Sequence, residues 1–70
     1  ATVGVRWRST APLRGRVVVN GQVVGACELG PAFRDCSFEV PEGHLLAGRN
    51  LLRLRVLGEG VIDVAGAWLE

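Results

Sequence analysis

The sequence predicts an all-β fold, a compact antiparallel sandwich or barrel of five or six strands. Short runs alternate apolar with polar residues, which is typical of strands with one buried and one solvated face. Turn signals recur at regular intervals, supplied in part by ten glycines and three prolines among 70 residues. No segment shows a helical period. A chain of this length forms one domain. Because it begins at Ala1 rather than Met, we expect a mature or excised piece of a longer protein.

Six strands are expected, and residues typical of turns or loops bound each of them. The first alternates Val3, Val5 and Trp7 with polar residues, and a Ser-Thr-Ala-Pro segment ends it. In chain order the predicted strands are residues 2–8, 14–20, 22–29, 33–40, 50–57 and 61–69.

The second and third strands are expected to form a hairpin. Asn20-Gly21 favours a type I′ turn because both residues accept a positive φ, and Gly25 marks a bulge in the returning strand. Apolar side chains occupy both faces of this hairpin, with Val17, Val19 and Val24 on one face and Val18 and Val23 on the other. A small sandwich normally keeps one face wet. We therefore expect a loop, a second copy of the chain or a neighbouring domain to cover the outer face.

Loop and turn residues separate the last three strands. Phe38 lies in an alternating run that Pro41 stops. The loop over residues 41–48 is expected to contain a single helical turn at residues 42–46. The fifth strand alternates leucine and valine with two arginines, and a Gly-Glu-Gly turn leads into the sixth.

The two cysteines allow two interpretations. A pair of strands centred on residues 30–33 would place Cys27 and Cys36 roughly opposite each other on neighbouring strands, close enough for a disulfide. Alternatively, both are small buried apolar residues with free thiols. The sequence leaves both alternatives open.

Three segments of the chain resemble the galactose-binding-like jelly-roll domains found in β-galactosidase-type glycosidases and as accessory domains of many secreted enzymes. The segments are Val-Val-Val-Asn-Gly-Gln-Val-Val-Gly, then Phe-Glu-Val-Pro, then Leu-Leu-Ala-Gly-Arg-Asn-Leu-Leu-Arg-Leu-Arg-Val. Asn20-Gly21 stands at the family's hairpin, and Gly48-Arg49-Asn50 opens the strand after the loop. The resemblance covers about residues 16–57. It implies a jelly-roll β-sandwich, a non-catalytic carbohydrate-binding or accessory role, and an extracellular or periplasmic location.

No catalytic or metal site is expected. The single histidine, His44, has no serine or cysteine partner at a recognisable spacing and is expected to be exposed in its loop. The seven acids are scattered through strands and turns rather than paired. A structural zinc site needs about four ligands, more than two cysteines and one histidine provide. We therefore expect neither an enzyme nor a cofactor, and no apolar run reaches membrane-spanning length.

The best candidates for a ligand site are Phe33, Arg34 and Asp35, at the start of a strand beside a Gly-Pro turn. Sugar sites combine an aromatic face with polar groups that read hydroxyls. Trp7 and Trp68 are further candidates, on the first and last strands. The alternative for Phe33 is a strand-end anchor with solvated charges beside it. The alternative for the tryptophans is that both lie in the core or form a cross-strand pair.

The arginines occur as three pairs two residues apart, so each pair shares one face of a strand. The pairs are Arg6 with Arg8, Arg14 with Arg16, and Arg53 with Arg55. Adjoining strands would give a basic stripe suited to phosphate or an anionic glycan. The alternative is a ladder of cross-strand pairs with Glu28, Glu39 and Asp63, which the net charge of +1 favours. Carbohydrate binding leads, with homo-oligomer assembly and nucleic-acid binding as the other hypotheses.

Overall fold

A computed structural model describes all residues from 1 to 70 and confirms the all-β fold, with six strands and no helix. The structure therefore contains no helix that could span a membrane. In chain order the strands are β1 (Thr2–Ser9), β2 (Leu13–Val19), β3 (Gln22–Leu29), β4 (Arg34–Glu39), β5 (Leu52–Leu57) and β6 (Ile62–Leu69).

The strands form two three-stranded antiparallel sheets, in the orders β4-β1-β6 and β3-β2-β5. The chain's inward-facing apolar residues lie between the two sheets, which gives the expected small β-sandwich. Each sheet has its central strand early in the chain, so β1 and β2 receive partners on both edges. The jelly-roll type of connection stays a prediction.

Trp7 lies at the centre of the core and has no exposed surface. Its ring lies over Gly15 on the opposite sheet, in the space that a Cβ atom at that position would take. The indole Nε1 donates a hydrogen bond to Cys36 Sγ at 3.4 Å. The other members of the core cluster are Val3, Val5, Val17, Val19, Leu29, Cys36 and Val40.

Cys27 and Cys36 form a disulfide, with a Cα–Cα separation of 6.6 Å. The expected placement on neighbouring paired strands is wrong, because β3 and β4 belong to different sheets. The connection over residues 30–33 crosses from one sheet to the other instead of closing a hairpin. The disulfide therefore ties the two layers of the sandwich together beside Trp7.

The valine-rich hairpin does not leave an apolar outer face to be covered. Val17 and Val19 lie in the core, and Val24 packs against it. Val18 points outward yet is only 3% exposed. Its partners in register are Val23 and Arg53, and long arginine stems cover apolar surface while their heads stay in water. Of the five hairpin valines named as a possible interface, Val17, Val18, Val19, Val23 and Val24, only Val23, at 57%, is exposed, so the expectation of an apolar outer face that needs a cover is corrected.

Two local details differ from expectation. The register shift in β3 lies between Gly25 and Val23, which makes Val24 the bulged residue rather than Gly25. The loop before β5 contains no helical turn. Gly43 has a φ of 90°, which a right-handed helical turn excludes, and the loop instead forms a turn closed by His44 N and Pro41 O.

Candidate ligand-binding face

The outward face of the β4-β1-β6 sheet, here named the A face, collects most of the predicted ligand-binding residues. Its positions fall into three cross-strand rows. One end row contains Phe33, Arg8 and Asp63, the middle row Asp35, Arg6 and Gly66, and the other end row Ser37, Gly4 and Trp68. The end rows are four residues apart on β1, about 13 Å at the usual rise of a strand. The face is therefore long enough for an extended ligand.

At one end, Arg8 connects Phe33 to Asp63. The Arg8 guanidinium carbon lies 4.4 Å from the centroid of the Phe33 ring, within the range of a cation–π contact. Arg8 Nε also donates to Asp63 Oδ2 at 2.9 Å. Phe33 keeps 45% of its surface exposed. The arrangement fixes an exposed aromatic ring beside an oriented ion pair.

A shallow cavity of about 210 Å³ adjoins this end of the A face. Its lining is polar apart from one proline: Arg8, Ser9, Thr10, Pro31 and Asp63. The Thr10 hydroxyl accepts a hydrogen bond from the backbone of Val61, so it too is fixed in place. Such a cavity offers hydrogen-bonding groups on rigid supports to a polar ligand.

In the middle row, Arg6 and Asp35 form a two-pronged ion pair. Arg6 Nε and Nη2 donate to the two carboxylate oxygens of Asp35 at 2.6 and 2.8 Å. These hydrogen bonds, with the guanidinium charge, hold the pKa of Asp35 below its ordinary value. The hydrogen bond from Arg6 to Asp35 and the carboxylate charge raise the pKa of Arg6. Both groups are exposed, so their remaining hydrogen-bond donors and acceptors face solvent.

At the far end, the Trp68 indole lies over Gly4 and takes the space of the Cβ that Gly4 lacks. The ring is partly exposed. Gly66, in the row beside it, has open space around the position of a Cβ. Two glycines therefore leave this end of the face without projecting side chains, apart from the broad Trp68 ring that lies on it.

The structure brings together some of the predicted site residues and separates others. Phe33, Asp35 and Trp68 share the A face. Arg34 lies in register with Trp7, on the opposite side of β4 from Asp35, and donates to the Glu28 carbonyl at 3.0 Å. Trp7 is buried, so the interpretation of Trp7 as a ligand platform is corrected. β1 and β6 do pair, but the two tryptophans point to opposite faces and form no cross-strand pair.

Three residues of this face were not predicted as site residues: Arg6, Arg8 and Asp63. Their signal in the sequence is the Arg-x-Arg pair opposite acids, which the ladder interpretation describes. That ladder exists in part, as the pairs Arg6–Asp35, Arg8–Asp63 and Arg14–Glu28. A basic stripe across all three arginine pairs is wrong, because the pairs lie on two different sheets.

The structure contains no group of three or more His, Cys, Asp or Glu side chains that could hold a metal ion. His44 is partly buried rather than exposed, and its Nδ1 atom has no hydrogen-bond partner. No nucleophile or carboxylate bonds to it.

The A face thus combines one exposed and one partly exposed aromatic ring with two Arg–Asp pairs on one sheet. No protein-family model, no curated protein and no solved structure matches this chain.

Proposed function

We propose that this protein is a non-catalytic carbohydrate-binding module of galactose-binding-like, jelly-roll type that binds an oligosaccharide along its A face. The observation that carries the proposal is the placement of Phe33 and Trp68 at opposite ends of one sheet face, with the Arg8–Asp63 pair beside Phe33 and the Arg6–Asp35 pair between the two rings. No other face of the sandwich presents an aromatic ring.

The chemistry of the face suits a neutral or weakly polar sugar. An aromatic ring packs against the apolar side of a pyranose, and fixed polar groups beside it hydrogen-bond the hydroxyls. The Arg6–Asp35 and Arg8–Asp63 pairs offer both donors and acceptors while cancelling each other's charge. Apart from Phe33, which immediately precedes β4, these side chains sit on strands of a single sheet, so little conformational entropy is lost on binding.

The disulfide supports the part of the proposal that concerns location. Disulfides persist in oxidising compartments, and small secreted domains use them to stabilise limited cores. The Cys27–Cys36 bond therefore agrees with an extracellular or periplasmic accessory module. The galactose-binding-like resemblance over residues 16–57 implies that location and role as well.

The proposal is tested on a glycan array at two salt concentrations, followed by titration of any neutral oligosaccharide that binds. Replacing either ring, by Phe33→Ala or Trp68→Ala, should weaken binding by about tenfold, since an aromatic contact contributes on the order of 1 kcal/mol or more. Val23→Ala is the matched control, because it removes an exposed apolar side chain from the opposite sheet. Binding to no neutral glycan, or equal loss in the control, would overturn the proposal.

Homo-oligomer assembly is a second candidate, favoured by the open side of the sandwich between β5 and β6. A mostly apolar cavity of about 230 Å³ opens there, lined by strand residues of both sheets, by the edge of Trp68 and by three residues of the loop before β5. Val64 and Leu69 of β6 are about half exposed although they face inward. An edge strand such as β6 is also a template for pairing with another strand. The proposed occupant is a second copy paired through β6, since like charges at Arg53 and Arg55 disfavour pairing through β5.

Sedimentation velocity over a range of concentrations tests this candidate. A dimer that Val64→Arg dissociates and Val23→Arg leaves intact would support pairing through β6. The two valines are similarly exposed, at 51% and 57%, so the substitutions are matched. A monomer at every concentration would remove the candidate, and dissociation by Val23→Arg alone would move the interface to the hairpin.

A further inference from the structure

Four arginines lie together on the outward face of the β3-β2-β5 sheet, here named the B face. Arg14 and Arg16 come from β2, and Arg53 and Arg55 come from β5, its neighbour. Arg16 stands directly opposite Arg55 in the strand register, and all four side chains are exposed. The four positions form a zigzag band across two strands, about 13 Å long at the usual strand rise.

The charges of this band are largely unmatched. Glu28 is the one carboxylate on the B face, 3.8 Å from Arg14. Arg16, Arg53 and Arg55 have no carboxylate within 4 Å. Four arginines against one glutamate leave the B face at +3, while the other four arginines and six acids leave the rest of the chain at −2.

This concentration of positive charge on one sheet disfavours folding of the chain in the absence of an anionic ligand. Like charges directly opposite each other on neighbouring strands destabilise a sheet, and Arg16 and Arg55 stand in this arrangement. On the A face, by contrast, each arginine is paired with an aspartate. The same chain therefore pairs both arginines of its A face with aspartates but leaves three of the four arginines of the B face without a carboxylate partner.

We propose that the B face binds an anionic polysaccharide, one that carries sulfate or carboxylate groups along an extended chain. Guanidinium groups match the geometry of such anions with two parallel hydrogen bonds. The band would contact successive anionic groups of one chain, and the ligand would supply the negative charge that the face lacks. The inference goes beyond the A-face proposal, since it concerns a different sheet and a different ligand class.

A polysaccharide is favoured over a single-stranded nucleic acid by the absence of aromatic side chains on the B face. Proteins that bind single strands stack bases on exposed aromatic rings. Here Phe33 and Trp68 lie on the A face, while Trp7 and Phe38 pack in or against the core. The exposed apolar neighbours of the band, Val23 and Leu57, are aliphatic.

The test measures binding of the disulfide-bonded chain to heparin, a sulfated polysaccharide, as a function of salt. Arg16→Gln with Arg55→Gln should weaken binding about tenfold or more at low salt, and the slope of log affinity against log salt should fall by about one per arginine. The single variant Arg55→Gln is also measured, and Arg49→Gln is its matched control. Arg49 is also exposed and has no carboxylate partner, but it lies in the loop before β5.

The stability of the double variant should be unchanged or raised, because the substitution removes the opposed like charges at Arg16 and Arg55. Lost heparin binding with retained stability, and full binding by Arg49→Gln, would support the proposal. Equal loss in Arg49→Gln, no binding at low salt, or tighter binding of an oligonucleotide of the same charge would each overturn it.

The same variants separate this proposal from the A-face one. Trp68→Ala should reduce binding of the neutral glycan and leave heparin binding unchanged. The Arg16→Gln, Arg55→Gln double variant should do the reverse. Failure of one site therefore leaves a distinct signature from failure of the other, and loss of both ligands in both variants would contradict two separate sites.

Discussion

The side chain of Asn20 donates from Nδ2 to Oδ1 of Asn50, at 2.9 Å, and so joins the β2–β3 turn to the loop before β5. Asn20 also donates to the His44 carbonyl and accepts from the Leu51 backbone. Asn50 bonds both the N–H and the carbonyl of Leu46. Two amides thus satisfy several backbone groups of a long loop that has no secondary structure of its own.

The first prediction concerns this pair of asparagines. Asn50→Ala leaves several polar groups without partners, so we expect the free energy of unfolding to fall by about 1–3 kcal/mol. Asn20→Gly removes the side chain but keeps the positive φ of 50° readily accessible. In a double-mutant cycle measured by urea unfolding, the two losses should be less than additive. Strict additivity would show that the amides act independently.

A second prediction compares two glycines in strands. A Cβ at Gly15 would overlap the ring of Trp7, which is fully buried, whereas a Cβ at Gly66 meets nothing within 4 Å. Gly15→Ala should therefore cost about 1–3 kcal/mol of stability through overpacking. Gly66→Ala should be neutral or slightly stabilising, and equal effects of the two substitutions would contradict the packing described here.

The third prediction concerns the bond between the sheets. Cys27 and Cys36 are nine residues apart in sequence, and a loop of about ten residues gives roughly 2–3 kcal/mol of stabilisation in the chain-entropy account. Replacing both cysteines by alanine should lower the free energy of unfolding by that amount. Adding a thiol reductant to the native protein should destabilise it similarly and leave the variant unaffected. Insensitivity of the native protein to reductant would contradict a structural role.

The strands were predictable because their signals are local. Alternation places each strand within a few residues of its position in the structure, and Asn20-Gly21 forms the expected turn with φ values of 50° and 84°. The division of strands between sheets is not local. It depends on whether residues 30–33 close a hairpin or cross the sandwich, and turn residues permit either. The sheet that each cysteine joins was therefore missed.

The candidate site shows the same limit. Phe33 and Trp68 were identifiable as scarce aromatics, but their burial depends on which face of the sheet each one occupies. Trp68 lies on the outer face in register with Gly4, which is far away in sequence and leaves room for its ring. Arg8 and Asp63 are 55 residues apart, and only the pairing of the first and last strands brings them together.

The last prediction concerns acid. Arg6 holds the pKa of Asp35 below its ordinary value through two hydrogen bonds and its charge. The folded state therefore favours the carboxylate, and the stabilisation is fully present above the pKa of an unfolded aspartate, about 4. It is lost as the pH falls from there through the lower pKa of the folded state.

The stability difference between the native protein and Asp35→Asn should accordingly be constant near neutral pH and shrink below about pH 4. Urea unfolding at a series of pH values measures it. Glu59→Gln is the control, since Glu59 is exposed and forms no ion pair, and a difference for Asp35→Asn that did not change with pH would show that the ion pair contributes nothing to folding.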